Sequence, residues 1–350
     1  MAGMSLNGRT IGGEALPLFV PEIGANHDGS PGKAERMLRA LVEAGAEAVK
    51  LQLYTAEELV ADPDRVIAWG PPERQRRETI GGLFDRLSLP RPAVADLLAL
   101  GRELGVLTFA TPFSEEGADF LAKHGVPCFK IAASDVGHLP LLRHVAQTGI
   151  PVILSLGKCT LGEAALAVET LSANGCTQLG LLHCVAEYPA PIEEMSLRTI
   201  EQLRRLFPDA VVGLSDHSIG DTAAIVAVAL GAALVEKHVT ESRDDEGPDH
   251  WFSVEIGEVA ALQRRMREAA LVLGKPRTGI LHCELGERDT STRSLVTRRP
   301  IRAGVPLVEA DIKIVRPGTG LAPRLLEAVL GLCPVRDQPA NTPLTWECFK

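Results

Sequence analysis

The feature that most constrains this chain is a regular alternation. Short apolar, β-branched runs alternate with amphipathic stretches over roughly the first 270 of its 350 residues. Eight candidate strands can be read, at 17–24, 46–53, 106–111, 128–132, 151–155, 178–184, 210–215 and 233–238. Helical patterns lie between them at 31–44, 92–104, 115–124, 139–148, 161–173, 197–207 and 221–230, and a last one follows at 258–273. Gly45, Gly105, Gly125, Gly149, Gly175 and Gly231 stand where helices should stop, as expected of a residue that accepts the left-handed conformation at a helix end. Strand and helix alternating this way predict a parallel sheet. Eight units in that length are the size of a (β/α)8 barrel. The competing arrangement, an open doubly wound sheet, lacks a GxGxxG fingerprint after the first strand.

Two segments interrupt the pattern. Residues 55–89 are long and charged, with Arg74, Arg76 and Arg77 close together, and read as an elaborated second βα loop with a short helix. The arginines read as a solvated face. Residues 274–292 are rich in Gly and charge and read as a linker. Beyond them the texture becomes β-rich with turn signals. The expected division is therefore a barrel domain over 1–284, linker included from about 274, and a small β-rich domain over 285–350. The small domain is marginal alone and should lean on something larger.

Composition excludes some classes. A net charge of −9 gives no basic footprint for nucleic acid, and 4% aromatic residues leave little for stacking bases. An aromatic-poor core must be aliphatic, which suits a layered α/β fold. No apolar run reaches the length of a membrane span, and the first 16 residues lack the layout of a signal peptide. Seven cysteines without a CxxC pair fit reduced thiols and a cytoplasmic setting.

In such a barrel, chemistry sits at the C-terminal ends of the strands. Reading those ends gives Glu22, then Lys50 and Gln52, then Thr111, then Lys130 with Ser134 just after. The later strands give Ser155, His183 with Cys184 and Tyr188, Ser215 to His217, and Glu236 to His238, with Asp249 soon after. Lys50 and Lys130, with hydroxyls from Thr111, Ser155 and Ser215, form an expected anion cradle for phosphate or carboxylate. His217 and His238 close neighbouring strands, with Glu22 across the barrel and Asp249 nearby. That set fits a divalent metal with mixed nitrogen and oxygen ligands, Mn2+ or Mg2+ better than structural zinc, and leaves positions for water and substrate. Cys184 reads as a small buried residue, and His124, His138 and His144 as surface residues.

Ordered motifs then carry a resemblance. They are PEIGANH at 21–27, AVKLQ at 48–52, TPFS at 111–114, FKIAASD at 129–135 and HCVAEYPAP at 183–191. GLSDH at 213–217, EKH at 236–238, GPDH at 247–250 and RPGTG at 316–320 follow. From about residue 19 to 333 the chain resembles the sialic acid synthase family (N-acetylneuraminate synthase), with its legionaminate, pseudaminate and spore-coat polysaccharide relatives. Arg-Pro-Gly-Thr-Gly resembles the mark of a C-terminal antifreeze-like (SAF) domain.

The resemblance implies a TIM barrel with a β-clip SAF domain, in a homodimer whose SAF domain caps the partner's barrel. It implies condensation of phosphoenolpyruvate with the open-chain aldehyde of an N-acetylmannosamine-type sugar, giving a nine-carbon 2-keto acid and phosphate by C–O cleavage. Lys50, Thr111, Lys130, Ser134, Ser155 and Ser215 match positions that hold phosphoenolpyruvate, and Gln52, Tyr188, Asp249 and Arg316 match sugar-side positions. His217 and His238 match the metal ligands, and Glu22 a carboxylate near the aldehyde. Ala186 departs from the family's usual Ser or Asn, which leaves open whether the sugar is N-acetylmannosamine, its 6-phosphate or a 2,4-diacetamido-trideoxy sugar. Two other readings remain at this point: a metal-dependent or Schiff-base aldolase, and a non-catalytic sugar-binding barrel.

Overall fold

The structure is a computed structural model in which residues 2–350 are described. Its contacts divide the chain into two compact units, Met1–Gly274 and Lys275–Lys350.

The first unit is built on eight parallel strands. They are β1 (Leu18–Glu22), β2 (Ala48–Leu53), β3 (Leu107–Pro112), β4 (Phe129–Ile131), β5 (Val152–Leu156), β6 (Leu179–Cys184), β7 (Val211–Asp216) and β8 (Leu234–Thr240). Each pairs with the next in sequence, and β8 pairs with β1, so the sheet closes into a (β/α)8 barrel. The open-sheet alternative is excluded by that closure. Nearly every strand residue is buried on both faces, because helices cover the outside and side chains fill the inside.

Eight helices form the outer layer: α1 (Pro31–Glu43), α2 (Arg91–Glu103), α3 (Glu115–Lys123), α4 (Leu139–Gln147), α5 (Leu161–Ala173), α6 (Thr199–Leu206), α7 (Thr222–Ala229) and α8 (Ile256–Leu273). Their starts are written locally. Ser30 accepts from the backbone N–H of Lys33 with Pro31 at the first helical position, and Ser114 does the same for Gly117. Thr160 and Glu163 complete a capping box on α5. The six predicted stop glycines all have positive φ, between 68° and 108°. The core is aliphatic, with Phe19, Phe109 and Phe129 its largest buried aromatics.

Two parts of this unit carry no barrel pattern. An N-terminal hairpin, Gly3–Leu6 against Arg9–Gly12, covers the N-terminal ends of the strands. Met4, Leu6 and Ile11 are buried there, and the Ser5 N–H donates to Gln178 Oε1 just before β6. The second βα connection contains the short helices Ala56–Leu59 and Ile80–Leu87 and a hairpin, Val66–Trp69 against Arg76–Thr79. Its arginines are exposed, as a solvated face requires. Arg76 pairs with Glu246 at 2.7 Å, in the loop after β8.

The second unit pairs Ser294–Thr297 with Ile312–Val315 and packs them with short helical turns around its own small core, including Leu295, Ile301, Leu307 and Leu344. The helix Leu285–Ser291 belongs to this unit, its Asp289 carbonyl accepting from Gly318.

Candidate active site

Strand parity delivers polar side chains to one end of the barrel. Glu22 lies beside Lys50 in register, and Glu236 beside Ser215. Glu22, Lys50, Thr111, Lys130, Ser155, Ser215, Glu236, His217 and His238 are all at most 5% exposed. Isolated, such charges would be costly to bury. They are instead paired. Lys50 Nζ donates to Glu22 Oε1 at 2.5 Å, and Gln52 Nε2 donates to the same oxygen at 2.6 Å. Lys130 Nζ lies 3.5 Å from Glu236 Oε1, which also accepts from Ser215 Oγ at 3.0 Å.

The pairing sets the charge states. Burial acts to raise the Glu22 pKa, but the Lys50 ammonium, with His238 and Lys130 beyond it, outweighs burial and holds the carboxyl well below the usual range. Burial likewise acts to lower Lys50, and the carboxylates of Glu22 and Glu236 raise it above its ordinary value. Burial pushes the Cys184 thiol up to about 11, so it is a neutral buried residue.

Thr111 Oγ1 and Ser155 Oγ are buried without a hydrogen-bond partner. Buried hydroxyls are rarely left so. They are unpaired polar groups on strands of the same barrel that buries Lys50 and Lys130. Ser134 is exposed and its hydroxyl donates to Asp135, so it stands outside this buried group. Arg316 lies in the second unit, where it is exposed.

The imidazoles of His217 and His238 have ring centroids 5.5 Å apart, and Tyr188 stacks on His217 at 4.2 Å. His217 Nδ1 donates to the Val185 carbonyl at 3.0 Å, which leaves its Nε2 lone pair free. Burial, then the neighbouring His238, lowers the His217 pKa to about 3, so the ring is neutral. His238 Nδ1 is buried without a hydrogen-bond partner, 3.5 Å from Asp249 Oδ2, and Nε2 lies 3.7 Å from Glu22 Oε2. Gly24, at φ 55°, makes room for this ring, since a Cβ there would come 2.9 Å from His238 Nδ1. Two imidazoles, that of His217 neutral with a free Nε2, and two carboxylates beside them are donor types that suit a divalent metal.

Among the described residues, the three ligand residues whose atoms converge within 4.8 Å of one another are Asp28, Asp245 and His250. Lys33 Nζ stands between their carboxylates, 2.7 Å from Asp28 and 2.8 Å from Asp245. Sequence reading did not single out Lys33 or these aspartates, because they lie in the loops and the first helix. Glu236 was visible at a strand end, but only the structure shows that it joins Lys130 to Ser215.

With the geometry in place, comparison with known proteins settles the lineage. Residues 37–278 match the NeuB family model and residues 292–350 the SAF domain. The chain belongs to the NeuB family. It is 35% identical to the spore coat polysaccharide biosynthesis protein SpsE of Bacillus subtilis, covering 99% of this chain and 97% of that one. It is 32% identical to the N,N'-diacetyllegionaminic acid synthase of Legionella pneumophila, covering 98% and 97%. Among solved structures it resembles the N-acetylneuraminic acid synthetase of Leptospira borgpetersenii serovar Hardjo-bovis in complex with citrate. That match has a TM-score of 0.73 and 30% identity, over 81% of this chain and 94% of the other. Among the described residues, no helix is long and apolar enough to cross a membrane.

Proposed function

We propose that this protein condenses phosphoenolpyruvate with the open-chain aldehyde of an acylamino sugar to give a nonulosonic acid and phosphate. The observation that carries the reading is the pair of unpartnered buried hydroxyls, Thr111 Oγ1 and Ser155 Oγ, on the same barrel as the buried Lys50 and Lys130. Such a cradle suits a substrate with both a carboxylate and a phosphate. Full-length likeness to the SpsE protein and to a diacetyllegionaminic acid synthase favours a diacetamido-trideoxy or spore-coat sugar over N-acetylmannosamine as acceptor.

In this reading C3 of phosphoenolpyruvate bonds to the aldehyde carbon, water adds at C2, and the C2–O bond breaks to release phosphate. Lys50 and Lys130 offset the charge of the substrate and of the tetrahedral intermediate. Ser215 adds a hydroxyl held by Glu236. Glu22 remains ionised at neutral pH, so it accepts a hydrogen bond from the attacking water and orients it more than it removes a proton. A divalent ion held by His217 and His238, Mn2+ or Mg2+, would supply Lewis acidity toward the aldehyde oxygen. Gln52, Tyr188 and Asp249 face the sugar side. The SAF domain, with Arg316, caps the barrel of a second copy in a homodimer.

The test is an acceptor screen for phosphate release from phosphoenolpyruvate. Release should require an acylamino sugar, with the 2,4-diacetamido-trideoxy sugar giving the highest kcat/KM, and should stop on chelation and return with Mn2+ or Mg2+. Release driven by arabinose 5-phosphate or erythrose 4-phosphate would overturn the substrate class. Trapping of a substrate adduct by borohydride would replace the mechanism with a Schiff-base one.

A further inference from the structure

Asp216 and Lys237 are partners in the register of β7 and β8, and each directly precedes one of the two histidines. Alternation along a strand puts Ser215, Glu236 and His238 on one face and Asp216 and Lys237 on the other. The pair is 1% and 2% exposed. Lys237 Nζ donates to Asp216 Oδ2 at 2.8 Å and also to the Ser218 carbonyl. Asp216 Oδ1 accepts from the Ser218 N–H at 2.9 Å and from Ser218 Oγ at 2.7 Å.

Stability does not explain this arrangement well. A buried ion pair is on average no more stabilising than an apolar pair of the same volume. Its geometry is more informative. Three bonds reach Ser218 and one bolts β7 to β8, so the residues on both sides of His217 are fixed, as is the residue before His238. The His217 ring itself is then held by Val185. One ion pair thus fixes the backbone carrying both imidazoles from behind.

We propose that Asp216 and Lys237 are positioning residues that set the separation and orientation of His217 and His238 for a divalent cation. The inference rests on the reading of those histidines as the cation's ligands. Most of the anion cradle is independent of it, since Lys50, Lys130, Thr111 and Ser155 sit on other strands and only Ser215 shares β7.

The experiment is Mn2+ titration into the chelator-stripped full-length protein by calorimetry, with electron paramagnetic resonance to read nitrogen coupling from imidazole. Phosphoenolpyruvate affinity and thermal midpoint are measured alongside. Asp216→Leu/Lys237→Met keeps volume and removes both charges. It should bind Mn2+ about 10- to 100-fold more weakly, as loss of an outer support does at metal sites, and with altered nitrogen coupling. Its phosphoenolpyruvate affinity should stay within about twofold of the parent, which a general structural lesion would not allow. Asp216→Asn/Lys237→Met keeps the two bonds from Ser218 to the residue-216 side chain and cuts the ties from Lys237 to Asp216 and to the Ser218 carbonyl; it should weaken Mn2+ binding by about tenfold and carries the test if the first variant fails to fold. Parental Mn2+ affinity and coupling in a folded variant would overturn the proposal. His217→Ala separates the two levels of argument. If it retains full Mn2+ affinity, the ligand reading fails and the positioning inference with it. If it loses affinity while the double variants do not, only the inference fails.

Discussion

The two ends of the barrel obey opposite burial rules. At the N-terminal end the hairpin of Gly3–Leu6 and Arg9–Gly12 adds Met4, Leu6 and Ile11 to the aliphatic core, each at most 3% exposed. At the C-terminal end, groups buried as deeply include Glu22, Lys50, Lys130 and Glu236, all at most 4% exposed. Apolar burial stabilises by about 25 cal/mol per Å². Buried charges stabilise little even when well paired, and cost several kcal/mol when a partner is lost. The strands are the same eight at both ends. One end therefore serves the fold and the other is held in place by it, so damage at the two ends should separate activity from stability.

The largest separation is expected at Lys130. Lys130→Met keeps the volume of the stem and removes the ammonium facing Glu236. Loss of one such charge-stabilising donor lowers kcat/KM by about 10²- to 10³-fold. The substitution also leaves Glu236 with Ser215 as its hydrogen-bond partner and so lowers stability, and kcat/KM is compared where circular dichroism shows the variant folded. Steady-state phosphate release within tenfold of the parent would mean that the anion cradle lies elsewhere.

The opposite lesion is Leu6→Ala. Leu6 is fully buried, and a Leu-to-Ala truncation in a core costs about 2–5 kcal/mol. Urea unfolding should show that loss, while kcat/KM under conditions where the protein remains folded is unchanged. A fall in kcat/KM matching the fall in stability would show that the two ends are coupled.

The same contrast explains what could be read from the sequence. The eight strands, their helices and the six stop glycines rest on local patterns, namely apolar periodicity and the backbone freedom of Gly, and the structure contains them all. Glu22, Lys50, Lys130, Ser155 and Ser215 were legible because barrel topology converts a position at a strand end into a position in space. The hairpin over 3–12 was not, because two four-residue strands give too short a pattern. Arg76 is solvated as its sequence suggests, but its surface pairing with Glu246 is not legible there, because the two are distant in sequence. The Asp216–Lys237 pair showed its residues but not its bonds, which depend on the register between β7 and β8.

The smallest effect concerns pH, and it belongs to the polar end alone. His27, after β1, is 2% exposed, and its Nδ1 accepts from the Gly29 N–H at 3.0 Å. Burial, partly opposed by Asp28 and reinforced by Lys33, lowers its pKa from 6.5 to about 4. The unfolded chain therefore binds a proton at higher pH than the folded one. This histidine's contribution is fully present above about pH 6.5 and is lost as pH falls toward 4, at up to about 1.4 kcal/mol per pH unit. His217 and His183 are also lowered by burial and add in the same direction, so His27 carries only a share of the slope. Between pH 7.5 and 5.5 the urea midpoint should drop, with about 1 kcal/mol traceable to His27. His27→Asn should flatten that slope, whereas Leu6→Ala should displace the whole curve with the slope unchanged, because the apolar end has no proton to take up. An equal slope in parent and His27→Asn would assign the acid sensitivity to other groups.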